Sequence, residues 1–175
     1  MYEYTPPKNN QKAQRLIPLF LVGGGVLILL PRILGLPYAS LFQLAGAGLL
    51  TAAIFLATRY VAKSYVYRIC PVEDGQADFE VVELMSGKRR MTVCRIALTD
   101  VEEIITLKSE DQAALRALRE RIRKEGRKLY HYCPDLSPDS VTYLLIKEQL
   151  GGPVAISLCP DEILLTLLQN GMERG

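Results

Sequence analysis

LLPRILGLPY, residues 29–38, is a short break between the two most apolar stretches of the chain. Read as an elbow it joins two membrane-spanning helices; read as a turn it joins two helices buried in a soluble core. The flanking runs decide between these. Leu16 to Leu30 contains no charged residue, and if Arg32 extends its guanidinium to the headgroups the run continues to Leu36. Tyr38 to Thr58 contains none either. Each run has about 20 residues, the length that roughly 30 Å of hydrocarbon demands of a helix rising about 1.5 Å per residue.

A helix with one side in water shows a polar stripe every 3.6 residues, and neither run shows one. Gly23, Gly24, Gly25, Gly46 and Gly48 would each weaken a water-exposed helix by about 1 kcal/mol relative to Ala, whereas in lipid small residues let helices approach closely. Gly48 and Ala52 have small-xxx-small spacing. Pro31, Gly35 and Pro37 punctuate the elbow, and Tyr38 has the amphipathic ring favoured at a membrane interface. A tight transmembrane hairpin over residues 16–60 is the expectation, with a buried soluble pair as the alternative. The first run has no small-x-small cleavage site and is followed at once by a second full-length run, so it does not read as a cleaved signal peptide.

Short-flank charges set the orientation. Lys8, Lys12 and Arg15 lie in the N-terminal tail, residues 1–15; Arg59, Lys63 and Arg68 follow the second run; the elbow has only Arg32. The positive-inside tendency makes both ends cytoplasmic. Cys70, Cys94, Cys133 and Cys159 are scattered without a disulfide-framework pattern, as expected in a reducing compartment. The net charge is +2, but residues 59–175 carry 17 Lys and Arg against 18 Asp and Glu. A near-neutral domain of this kind is not a bulk nucleic-acid binder.

Residues 61–175 read as an α+β unit. SYVYRICP, DFEVVELM, RRMTVCRIAL and VEEIITLK are rich in β-branched and aromatic residues and are separated by turn signals such as EDG and MSGK, which predicts an antiparallel meander. SVTYLLIKE and GPVAISL predict a hairpin across Leu150, Gly151 and Gly152. Between these groups SEDQAALRALRERIRKEGRK predicts a helix with Ser109 as N-cap and Gly126 near its end. CPDEILLTLLQNG predicts a last helix with Pro160 at its first position, Asn170-Gly171 as its stop, and Ile163, Leu164, Leu167 and Leu168 as the apolar face that covers a sheet.

Two transmembrane helices, a small antiparallel β-domain and a closing helix, with RIALTDVEEI and VAISLCPDEILLTLL as the most suggestive stretches, resemble the bacterial membrane-anchored proteins with a pleckstrin-homology-like domain. The resemblance implies an open barrel or pair of sheets plugged by the last helix, an inner-membrane location, and a binding or assembly role. The basic helix over 110–125 departs from the simplest form of that pattern.

For chemistry, the sole histidine, His131, lies two residues from Cys133 in YHYCPD, and a strand would put both on one face. A nucleophile pair or two metal ligands fit that spacing, but there is no second histidine, no CxxC and no HExxH. An interfacial strand segment is the plainer reading, so the expectation is a non-enzymatic chain with no cofactor and no metal. Asp135, Asp139, Asp161 and Glu162 read as turn and cap residues.

The strongest functional signal is RALRERIRKEGRK. Arg116, Arg119, Arg123, Lys124 and Arg127 fall on neighbouring helical rows beside an apolar stripe of Leu115, Leu118 and Ile122. Three readings stay open: a solvated face, contact with anionic lipid headgroups, and docking to an acidic membrane or cytoplasmic protein. Lys88, Arg89 and Arg90 form a second, smaller patch. The expected function is a membrane-anchored interaction or scaffolding module, with an accessory subunit that binds through its hairpin as the alternative.

Overall fold

The computed structural model describes residues 1–7, 11–35, 38–72, 76–85, 89–136, 138–149 and 152–173. It is α+β, with two long apolar helices near the N-terminus followed by antiparallel sheets. Met1–Lys8 and Ser64–Gly175 make one compact unit, and Asn9–Lys63 makes the other.

In the helical unit, α1 spans Gln11–Ile33 and α2 spans Ala39–Leu56, continued by a π-helical turn at Ala57–Val61. Only 11% of each apolar window is buried, unlike the core helix of a soluble protein, so both are candidate transmembrane helices. Pro31 does not stop α1, which runs through it to Ile33; a helix in a close pair tolerates the missing N–H near its end. The turn uses two residues with left-handed backbone, Gly35 at φ 60° and Tyr38 at φ 64°, while Leu36 and Pro37 lie outside the described residues. The close approach between the helices is at Gly24 and Gly46. A Cβ on Gly24 would lie 2.9 Å from the Gly46 carbonyl oxygen, and one on Gly46 would lie 2.7 Å from that of Gly24. The expected pair, Gly48 and Ala52, is not the contact, since Gly48 has nothing nearby.

The second unit holds two four-stranded sheets. In the first, the order is β1 (Tyr2–Tyr4), β2 (Lys63–Pro71), β3 (Ala77–Met85) and β4 (Arg89–Ala97). The expected cytoplasmic tail of residues 1–15 is therefore divided: its start is a strand, in register Tyr2 to Ile69 and Tyr4 to Tyr67, and α1 begins at Gln11. Arg68, counted among the flanking charges, is in β2 and bridges to Glu3 at 3.0 Å. In the second sheet the order is β5 (Val101–Lys108), β7 (Ser140–Gln149), β8 (Gly152–Leu158) and β6 (Lys128–His131), with β6 parallel to β8. The expected four-strand meander is thus cut after its third strand. A 3-10 turn at Leu98–Asp100, anchored by the buried Leu98, carries β5 into the other sheet. The EDG turn, most of MSGK, and Leu150-Gly151 lie outside the described residues.

The main core lies between the sheets. Tyr65, Tyr67, Phe79, Val81 and Ile96 from the first meet Leu144, Ile146, Ile156 and Leu158 from the second. Helix α4, Glu162–Glu173, adds Leu164 and Leu168 to this core. Ile163 and Leu167, expected on the same face, stay exposed, because the helix offers the core a narrower stripe. Its N-cap is Asp161, whose Oδ1 accepts from the Leu164 amide at 2.8 Å and whose Oδ2 accepts from the Tyr2 hydroxyl at 2.7 Å. Pro160 therefore precedes the cap. Nor does Asn170-Gly171 end the helix. Gly171 lies inside it because a Cβ there would meet Leu98 Cδ1 at 2.3 Å.

Candidate functional site

Helix α3, Gln112–Lys124, lies on the outer face of the second sheet, where Leu115, Leu118 and Ile122 pack against Tyr143, Leu145 and Ala155. The sheet is thereby apolar on both faces, which is why β7 reads as a nearly continuous hydrophobic run. Asp111 caps the helix, its Oδ1 accepting from the Ala114 amide at 3.0 Å. Ser109, the expected cap, is engaged elsewhere: its hydroxyl donates to the Pro138 carbonyl, and its amide donates to that of Asp139 at 2.9 Å. At the other end Gly126, with φ 67°, closes a Schellman motif. Its amide bonds to Arg123 O at 3.2 Å, and that of Arg127 to Ile122 O at 3.0 Å.

The basic residues of this segment separate into two groups. Arg127, outside the helix and with only 10% of its side chain exposed, lies in an ion cluster. It bonds Glu102 and Glu125 at 2.5 Å each and donates to the Ile146 carbonyl at 2.8 Å. Burial opposes its charge, but the two carboxylates outweigh that and raise its pKa. Arg121, which the sequence reading passed over, bridges Glu103 at 2.8 Å and Glu125 at 2.9 Å. Held by Arg127 first and Arg121 second, the Glu125 carboxyl lies below its ordinary range. These cations are neutralised at home.

Arg116, Arg119, Arg123 and Lys124 are different. All four are exposed, and among the described residues none has an ion-pair partner. Arg116, Arg119 and Arg123, spaced three and four residues apart, stand one above another on a single helical ridge, and Gln112 begins the same row. Five residues expected to act together therefore become four, three of them aligned. Arg89 and Arg90, in β4, are also exposed; Lys88 lies outside the described residues.

His131 and Cys133 share a face, as the spacing predicts, but what joins them is Ser157. His131 Nδ1 lies 2.8 Å from Ser157 Oγ, and the Cys133 thiol also reaches Ser157. The thiol's hydrogen bond with Cys159, then burial, hold its pKa far above the ordinary value. That is the reverse of what an activated nucleophile needs. Among the described residues no group of three or more His, Cys, Asp and Glu is placed to hold a metal.

A cleft of about 320 Å³ that the sequence did not signal opens between β4 and the second sheet, lined by Val93, Cys94, Tyr130, Tyr132 and Ile156 among others. The ladder between β3 and β4 steps from Val81–Cys94 to Val82–Thr92, which leaves Val93 as a bulge at its rim. Burial pushes the Cys94 thiol up to about 11 and the Tyr132 hydroxyl up to about 12. Neither group is set up for proton transfer near neutral pH. No family model, curated protein or solved structure matches the chain.

Proposed function

We propose that this chain is a non-enzymatic interaction module anchored at the cytoplasmic face of a bacterial membrane. In this reading α1 and α2 are the anchor, with both termini cytoplasmic, and the β-rich unit is of the pleckstrin-homology-like kind. The observation that carries the reading is the joining of two sparsely buried apolar helices to a separately compact unit with an unneutralised row, Arg116, Arg119 and Arg123. The row is the contact surface, and the anionic headgroups of the inner leaflet are its partner, each cation near that surface gaining about 1 kcal/mol. Because the anchor already holds the unit at the membrane, this attraction sets its orientation and so its presentation to other proteins. The raised thiol pKa values and the lack of a metal-ligand cluster among the described residues favour binding over catalysis.

The chain has no tryptophan, so Gln112→Trp places a single fluorophore in the basic row of the full-length protein. In nanodiscs containing headgroup-spin-labelled lipid, quenching is expected with anionic but not neutral lipid. It should fade as salt shortens the Debye length below about 8 Å and disappear when Arg116, Arg119, Arg123 and Lys124 become Gln. Unchanged quenching in that variant, or none at low salt, would refute headgroup contact by the row and leave a solvated face or an acidic protein partner.

A second reading, an accessory subunit that binds through its hairpin, is favoured by a groove of about 340 Å³ on α1 lined by Leu21, Val22, Gly25, Val26, Leu29, Leu30 and Ile33. Gly25 has open space beside it. A stoichiometric integral-membrane partner that copurifies in mild detergent and is lost in Gly25→Leu would favour this reading.

A further inference from the structure

We propose that Cys133 and Cys159, 26 residues apart in sequence, form a modification site: a dithiol that exchanges with a small disulfide, such as oxidised glutathione, to give an internal disulfide. The geometry comes from the parallel ladder of β6 and β8, which keeps a constant offset of 26 from Lys128–Val154 to His131–Ser157. The ladder continues one bond further, from the Tyr132 amide to the Ser157 carbonyl at 3.0 Å. The same offset places Cys133 opposite Cys159. Paired strands lie about 4.8 Å apart, and a disulfide accepts Cα separations of about 4.4–6.8 Å, which leaves room for the strands to part by the width of the Tyr67 hydroxyl that replaces the next ladder bond, between the Tyr132 carbonyl and the Cys159 amide.

One phenol fixes both backbones. Tyr67, in the core, donates its hydroxyl to the Tyr132 carbonyl at 2.9 Å and accepts from the Cys159 amide at 3.3 Å. The two side chains touch, since the Cys133 thiol hydrogen-bonds with Cys159. Both residues are half-buried. Bridging does not require the helix to unwind, because Asp161, the cap of α4, lies two residues beyond Cys159.

The exchange balances. The Cys159 thiolate attacks one sulfur of the small disulfide and expels a thiolate, which takes up the proton that Cys159 gave up. Cys133 then loses its proton, attacks the Cys159 sulfur and expels the second small thiolate, which takes up that proton. Two protein S–H bonds and one small-molecule S–S bond become one protein S–S bond and two small-molecule S–H bonds; the protein is oxidised by two electrons and the small disulfide is reduced. With Cys159 in the mixed disulfide, burial still favours the protonated form of Cys133, so ring closure awaits its deprotonation. It should accelerate about tenfold per pH unit, as the thiolate fraction does below a thiol's pKa.

The full chain in detergent micelles, incubated with oxidised glutathione, alkylated and mapped by peptide mass, should lose two of its four thiols together. The product should be a Cys133–Cys159 cross-linked peptide, lighter by two hydrogens. Cys133→Ser should stop at a glutathione adduct on Cys159, and the Cys70→Ser/Cys94→Ser double variant should bridge as the wild type does. The wild-type map is decisive even if a variant folds poorly. A lasting glutathione adduct on Cys133 or Cys159 of the native chain, a bridge to Cys70 or Cys94, or no thiol loss in excess oxidised glutathione would each overturn the proposal.

Discussion

Substituting Gly171 by alanine sets two effects of opposite sign against each other inside α4. An interior helical glycine costs about 1 kcal/mol relative to alanine, so propensity alone makes the substitution stabilising. The new Cβ, however, would lie 2.3 Å from Leu98 Cδ1, 3.2 Å from its Cβ and 3.3 Å from its Cγ. Turning the Leu98 side chain moves Cδ1 away but leaves Cβ where it is. Leu98 is also only 1% exposed, so the turned side chain meets packed neighbours. Overpacking of this kind costs about 1–3 kcal/mol. The expected net effect is destabilisation of about 1 kcal/mol, a fall in Tm of roughly 4 °C for a unit of this size. Thermal unfolding of the full chain in detergent, followed through tyrosine near-ultraviolet circular dichroism, reads it. A double-mutant cycle with Leu98→Ala separates the terms: alanine at 98 removes the contacts with Cδ1 and Cγ and keeps only the Cβ at 3.2 Å, so Gly171→Ala should be less destabilising in that background. An equal or higher Tm for Gly171→Ala alone, or strict additivity in the cycle, would refute the close-approach reasoning.

Three further outcomes follow from the geometry. Gly126→Ala should cost about 1 kcal/mol through its positive φ, with nothing nearby to clash; Gly126→Asn, which tolerates that conformation better, should recover part of the loss in urea unfolding. Arg127→Gln removes the charged bond to the Ile146 carbonyl, worth about 2 kcal/mol. It should also flatten the acid limb of stability: Glu125 has a depressed folded pKa, so its contribution is present above the ordinary carboxylate value near pH 4.3 and is lost as pH falls from there through the lower folded pKa. Urea midpoints at neutral and acid pH compare the two chains. Cys94, with its folded pKa at about 11, should alkylate slowly at pH 8. Its contribution to stability is complete below the ordinary thiol value and lost as pH rises toward 11, and Cys94→Ala should remove that alkaline slope.

The features legible in the sequence are those written in local periodicity. A helix facing lipid all round lacks a polar stripe, and α1 and α2 lack one. Helix α3 keeps Leu115, Leu118 and Ile122 on a 3.6-residue period, and all three are buried. Strands β2 to β4 and the β7–β8 pair carry β-branched and aromatic runs. Features set by distant contacts were not legible. Tyr2–Tyr4 is too short for any period, and its partner strand lies beyond both helices. The turn at Leu98–Asp100 has neither glycine nor proline to mark the change of sheet. Asn170-Gly171 has the composition of a stop, and only the position of Leu98 shows why glycine is needed there. In the basic segment, residue type could not separate Arg127 from Arg116, because the difference lies in where Glu102, Glu103 and Glu125 stand.

The short strand β1 has a consequence for threading. It precedes α1, its partner β2 follows α2, and the two are hydrogen-bonded edge to edge in one sheet. A β-ladder cannot be drawn through hydrocarbon, so residues 2–4 and 63–71 must share one aqueous compartment whatever bilayer the helices enter. In a bilayer the number of crossings between them would have to be even. Such parity would hold without any flank charge and would leave no place for a form in which one helix spans while the other lies outside. The pairing also means that a protease acting between α1 and α2 would leave the first strand, and the Tyr2 hydroxyl at the cap of α4, held to the rest of the sheet without a covalent link.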